Sequence, residues 1–181
     1  AALIAATPAP AAPQAEAHRA ASMDELIAQY QADLGALGPH LSLTHAVHLD
    51  QNEVDLLASS GTHVTHCPMT AMKGGYGASS AGLFPEMAAA GVNIQLGTDG
   101  NNNGNTSDIM RAMFAMAGLF KDARRDANLF SAYSVLEAAT INGAKGAQMA
   151  DQIGSLEPGK KADFVLHDRN RPEWVPLFNP V

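Results

Sequence analysis

Between residues 41 and 120 the chain repeats one unit three times, and that repeat limits the fold more than any other feature. Each unit is a short apolar run followed by a segment of helical period. Residues 41–45 predict a first strand and 50–59 a first helix, which offers Val54, Leu56 and Leu57 for packing and ends at Gly61. Residues 62–68 predict a second strand. After a glycine-rich loop, 82–90 predict the second helix, closed by Gly91. Residues 92–99 predict the third strand and 107–120 its helix, with Asp108 well placed for the N-terminal end of the dipole. Strands alternating with helices across short turns predict an α/β fold with a parallel sheet of right-handed βαβ units. A further helix is predicted over 133–149. A chain of 181 residues holds one domain with a real core, but a complete eight-fold α/β barrel takes about 250.

The third strand carries the most chemistry. Val92, Ile94 and Leu96 alternate with Asn93, Gln95 and Gly97, so one face is apolar and the other polar. Asp99 falls on the polar side, at the C-terminal end, where parallel α/β proteins place their reactive groups. An aspartate there also serves as a simple turn cap, and taken alone Asp99 fits either role. His45 ends the first strand and His66 stands near the end of the second. Neighbouring strands lie about 4.8 Å apart, so three successive strands are expected to bring Asp99, His45 and His66 to one rim. Leu41 and Leu43 share the parity of His45, which leaves its direction open.

His48 and His63 each lie three residues from a member of this set. On a strand that spacing sends side chains to opposite faces, so one contributor is expected from each pair. His40, after Pro39, and His167, in the tail, are expected at the surface. His18 reads either as a surface residue flanking a helix or as a metal ligand.

The two ends differ from the middle. Residues 1–21 are rich in Ala and Pro; residues 2–6 could form a short strand, and Pro8, Pro10 and Pro13 keep residues 7–13 extended. Ser22 with Glu25 forms a capping-box pattern ahead of Leu26, Ile27, Tyr30 and Leu34 at helical spacing. At the other end, a Pro-Gly turn precedes a β-rich run, 162–167, which predicts a small separate β element within 151–181. Trp174 and Phe178 lie beyond it in a proline-rich stretch.

Composition excludes several classes of partner. The net charge is −7 and no basic cluster is visible, which argues against nucleic acid. No apolar run is long enough to cross a membrane. One cysteine, Cys67, permits no internal disulfide and fits a reducing, cytoplasmic setting. The opening stretch shares small residues and an apolar patch with secretory signals but has no basic start.

Other motifs have plainer readings. Met110, Met113 and Met116 recur at helical spacing, as core-filling methionines do. KGGYGASS (73–80) lacks the Lys-Ser/Thr ending of a phosphate loop and reads as a mobile active-site loop. Cys67 beside His66 has the composition of a thiolate pair, but it precedes Pro68 and has no evident orienting partner.

Five stretches together carry a family resemblance: THAVHLD (44–50), VTHCPMTAMKGG (64–75), LGTDGNNNGN (96–105), AATINGAKG (138–146) and IGSLEPGKKADFVLHD (153–168). In order and spacing they resemble motifs of the amidohydrolase superfamily, in the branch of cytosine, guanine and S-adenosylhomocysteine deaminases and triazine chlorohydrolases. The resemblance runs from about Leu41 to the end, roughly three quarters of the chain. It implies the last strands of a (β/α)8 TIM-type barrel, here residues 22–150, and part of a small β-sandwich, residues 151–181. It implies that Asp99 is a metal ligand that also handles the proton of an attacking water. His45 matches a histidine that polarises that water, with a second reading as a ligand, and His66 matches a residue close to the substrate. The implied metal is zinc, with iron as the alternative, and such a metal lowers the pKa of bound water from 15.7 to about 7. The implied reaction is hydrolytic removal of nitrogen, or in some relatives chlorine, from a cyclic, nucleobase-like small molecule.

The departures from the family pattern are specific. No two histidines stand two apart, so the family's first His-x-His pair is missing. The family also carries a metal-binding His followed three residues later by a catalytic Glu. His18 lies at a suitable distance upstream of His45, but Ala21 stands where that Glu belongs. The chain therefore reads as part of a metal-dependent hydrolase and is expected to be inactive alone. The alternative is a non-catalytic half-barrel used as an oligomerisation or binding module. Either way an open sheet edge predicts a homo-oligomer or a complementary N-terminal barrel segment as partner.

Overall fold

The computed structural model describes residues 35–168 and residue 170. The expected strand at 2–6, the helix after Ser22, His18 and the segment holding Trp174 lie outside the described residues. Three short strands, β1 (Ser42–Thr44), β2 (His63–His66) and β3 (Ile94–Leu96), form one parallel sheet in the order β1-β2-β3. Around them run α1 (Gln51–Ser60), α2 (Pro68–Gly74), α3 (Phe84–Ala89), α4 (Asn101–Gly104), α5 (Ile109–Arg124), α6 (Ala132–Ala139) and α7 (Ile141–Gly146).

Local signals set the ends of the first unit. The Asp50 carboxylate accepts from the Glu53 N–H at 2.9 Å, and the Glu53 carboxylate accepts from the Asp50 N–H at 2.8 Å, a complete capping box for α1. Gly61 ends the helix at φ 72°, a conformation that costs a residue without a Cβ nothing.

The register sorts the sheet into two faces. Leu43 pairs with Val64 and Val64 with Ile94, and this row meets the core formed by Val54, Leu57, Phe84, Met87, Met116 and Phe120. On the other face Gln95 Nε2 donates to Ser42 Oγ and to Thr65 Oγ1, both at 2.8 Å, and the two hydroxyls stand 2.9 Å apart. A one-residue slip would break this net and turn the apolar row away from the core.

Several expectations need correction. Residues 68–74, expected as the end of a strand and a loop, form α2, because Pro68 at the first turn has no N–H to lose and presets φ. Lys73 and Gly74 thus belong to a helix rather than to a mobile loop. The predicted helix over 133–149 breaks at Thr140 (φ −130°, ψ −94°), whose hydroxyl donates to the Leu136 carbonyl at 2.7 Å. The break turns Asn142 towards β3. Asn142 Nδ2 donates to the Ile94 carbonyl and Asn93 Nδ2 to the Asn142 carbonyl, each at 3.0 Å.

The Pro-Gly turn is present, with the Lys160 N–H donating to the Glu157 carbonyl at 3.1 Å and Gly159 at φ 95°. The β-rich run after it is not a strand. Residues 162–167 take no strand assignment among the described residues, and Leu166 is 85% exposed. A strand exists only by pairing, so β propensity alone does not make one. Of the methionine stripe, Met116 is in the core. Met113 packs against that core, and with Met110 it also lines an apolar groove of about 910 Å³ with Leu136, Ile153, Leu156 and Phe164.

Candidate active site

Two of the three expected site residues meet at the C-terminal rim of the sheet. The His45 N–H still pairs with the Thr65 carbonyl at 2.9 Å, but His45 and Ala46 then take φ of 72° and 47°. Asp99, past the end of β3, has φ 60°. Both residues have left the extended backbone, so strand parity no longer governs their side chains. His45 Nε2 lies 3.4 Å from Asp99 Oδ2, with the two side chains 34% and 20% exposed.

The two oxygens of Asp99 have different surroundings. Oδ1 accepts from the Gly100 N–H at 2.6 Å and from Asn103 Nδ2 at 3.2 Å, while Oδ2 faces His45. The Gly100 N–H, and after it the Asn103 amide, hold the carboxyl below the usual aspartate range. Asp99 is therefore a carboxylate at neutral pH, with one oxygen committed to the loop and the other turned to the rim.

His66 ends β2, but its side chain turns into the core rather than towards the pair. It shares a face with Val64, the face that meets the helices, and is 1% exposed. Its ring is tilted over Phe84 at 4.2 Å between centroids and meets Phe120 edge-on at 5.6 Å. Burial, and after it the charge of His45, lowers its pKa to about 3. It lines a cavity of about 270 Å³ with Ala71, Met72, Ser79, Leu119 and Phe120.

His48 is exposed. His63 Nε2 donates to the Pro39 carbonyl at 3.1 Å, at the far end of β2. His40 and His167 are exposed, and His18 lies outside the described residues. Cys67 is buried, and its thiol is pushed up to about 11 by burial and then by the charge of Asp99, which removes the thiolate that a nucleophile needs.

Within 73–80, the stretch that the sequence marks as an active-site loop, two residues that it does not single out serve the pair. Tyr76 is 39% exposed and sets its ring edge-on to His45, 5.8 Å between centroids. Lys73 reaches across to the loop after Asp99. Their only signal is being the one charged and the one aromatic residue in an otherwise small-residue stretch.

A catalytic zinc ion takes about three nitrogen or oxygen ligands from the protein. His45 Nε2 and Asp99 Oδ2 are donors of that kind, turned towards the same space. No cluster of three or more His, Cys, Asp or Glu able to hold a metal occurs among the described residues. The pair fits such an ion in chemistry, and a further donor has to come from elsewhere.

No described helix is long and apolar enough to cross a membrane. Residues 12–179 match the model of the amidohydrolase family. The chain is 42% identical over 156 residues to a 5-methylthioadenosine/S-adenosylhomocysteine deaminase of Teredinibacter turnerae, covering 84% of this chain and 34% of that protein. It is 34% identical over 151 residues to an S-triazine hydrolase of Gordonia rubripertincta, covering 83% of this chain and 31% of that one. Among solved structures it resembles an adenosine deaminase from Xanthomonas campestris with bound zinc, at 33% identity and a TM-score of 0.73, over 84% of this chain and 34% of that one. The chain spans about a third of the length of the curated relatives it matches. With the family model covering most of the sequence, the chain belongs to the amidohydrolase family.

Proposed function

We propose that this chain supplies the last strands of a (β/α)8 barrel to a metal-dependent hydrolase that deaminates a small adenine nucleoside of the methylthioadenosine or S-adenosylhomocysteine type. The observation that carries the reading is the Asp99–His45 pair at the rim, within a chain 42% identical to a deaminase of that name. Residues 22–150 would belong to the barrel and 151–181 to the start of its small β domain. The free edge of β1, with one neighbour among the described residues, would pair with a strand from the preceding part of the barrel.

Asp99, with ligands from outside the described residues (His18 a candidate among them), would hold a divalent metal, zinc first and iron as the alternative, and His45 would be either a further ligand or the group beside the attacking water. When bound, such a metal brings the pKa of water down to about 7. Asp99 Oδ2 receives the proton of the attacking water, because Oδ1 is already occupied by Gly100 and Asn103. His45 orients that water from the other side and polarises the carbon it attacks. The water oxygen bonds to the ring carbon, the C–N bond breaks, and the proton held at Asp99 leaves with ammonia. Tyr76 provides an aromatic wall beside His45 suited to a planar ring. His66, one layer below, supports the substrate side of the rim through its packing.

The test is metal analysis with a deamination assay on the protein that carries this chain and on the 181-residue chain alone. The larger protein should release ammonia from 5-methylthioadenosine and lose about 10²–10⁴ in kcat as Asp99→Asn. The chain alone should be inactive. A metal-free, monodisperse oligomer with no turnover in either form would instead support the half-barrel module.

A further inference from the structure

The loop from Asp99 to Asn105 should not hold its shape unaided. Both of its ends are non-glycine residues at positive φ, Asp99 at 60° and Asn105 at 58°. Between them α4 is four residues long, a single turn far below the length at which helices persist in water. The carbonyls at the end of such a turn have no partner within it.

That end is capped from another element. Lys73 Nζ donates to the Asn102 carbonyl at 2.6 Å and to Asn105 Oδ1 at 2.9 Å. Lys73 sits in the last turn of α2, which is anchored by the buried Pro68, Thr70 and Ala71. A cation at a helix C-terminus meets the negative end of the dipole, so the contact fixes α4 both by charge and by direct hydrogen bonds. From the same turn Asn103 Nδ2 reaches Asp99 Oδ1, and Ser107 Oγ donates to Asn101 Oδ1.

We propose that Lys73 is a positioning residue: it clamps α4 from α2, and through Asn103 and Gly100 it keeps Asp99 Oδ2 turned towards His45. Its consequence for turnover rests on the role proposed for Asp99, whereas the clamp itself does not.

The experiment compares the wild-type chain with Lys73→Met and Lys73→Arg by amide hydrogen exchange. The probes are the Asn103 and Gly104 amides, which donate to the Gly100 carbonyl at 2.8 and 2.9 Å. The internal reference is the Val64 amide, which donates to Asn93 in the sheet. Lys73→Met should speed exchange in α4 at least about tenfold, since it removes both charge-assisted hydrogen bonds and the loss of one alone is worth about that factor, and leave Val64 unchanged. Lys73→Arg should restore much of the protection. In the protein that turns over 5-methylthioadenosine, Lys73→Met should lower kcat about tenfold with KM within about twofold. Unchanged α4 exchange in Lys73→Met, or an equal rise at Val64, overturns the clamp. If α4 responds as expected while the wild-type protein deaminates nothing, the clamp stands and the proposed function falls.

Discussion

His45 Nε2 stands 3.4 Å from Asp99 Oδ2, and each residue reaches the other by leaving its strand. Sheet geometry brings the two strand ends near the same rim, but β2 lies between β1 and β3. Closing the remaining distance takes the left-handed turns at His45, Ala46 and Asp99. Non-glycine residues hold such conformations only where the surroundings over-determine them. Here the His45–Thr65 backbone bond and the Gly100 and Asn103 donors do so.

Acid sensitivity is expected from His66. Its folded pKa of about 3 lies below the ordinary 6.5, so between those values the unfolded chain binds a proton that the folded chain does not. Stability is therefore present above pH 6.5 and is lost as pH falls towards 3. Urea denaturation at pH 7 and pH 5 should show a loss of about 2 kcal/mol from this one group. His66→Phe, which keeps an aromatic ring between Phe84 and Phe120, should lose correspondingly less. An equal loss in both proteins would mean that His66 is not the group responsible.

Two glycines should respond in opposite directions to alanine. Gly118 lies mid-way along α5, where an added Cβ would meet nothing within 4 Å. Gly118→Ala should stabilise by about 0.5–1 kcal/mol through lower backbone entropy in the unfolded chain. At Gly104, at the end of α4, a Cβ would stand 2.5 Å from the Thr98 carbonyl oxygen. Gly104→Ala should cost about 1–3 kcal/mol. Denaturation midpoints of the two variants decide the matter, and a destabilised Gly118→Ala would contradict the open position assigned to it.

Cys67 should behave as an inert core residue. A thiol raised to about 11 is almost wholly protonated at neutral pH, so alkylation by iodoacetamide should run at least about a hundredfold slower than in the unfolded chain. Cys67→Ala should retain deamination within about threefold in the protein that carries the activity. Rapid alkylation of the native protein, with loss of turnover, would make Cys67 a reactive group after all.

The sequence by itself determined the strand-helix repeat, the helix stop at Gly61, the parallel sheet and the candidacy of Asp99 and His45. These depend on local periodicity, on glycine conformation and on motif order, all of which can be read along one chain. What the tertiary structure decided are side-chain directions and element ends that depend on contacts across the fold. The register put the His66 side chain on the helix side of the sheet, packed against Phe84. The Asn93–Asn142 exchange with β3 accompanies the break at Thr140 in what periodicity makes one helix. α4 holds because Lys73, about thirty residues away in the chain, caps it. Residues 162–167 have every local property of a strand and yet form none among the described residues, because a strand is defined by its neighbour.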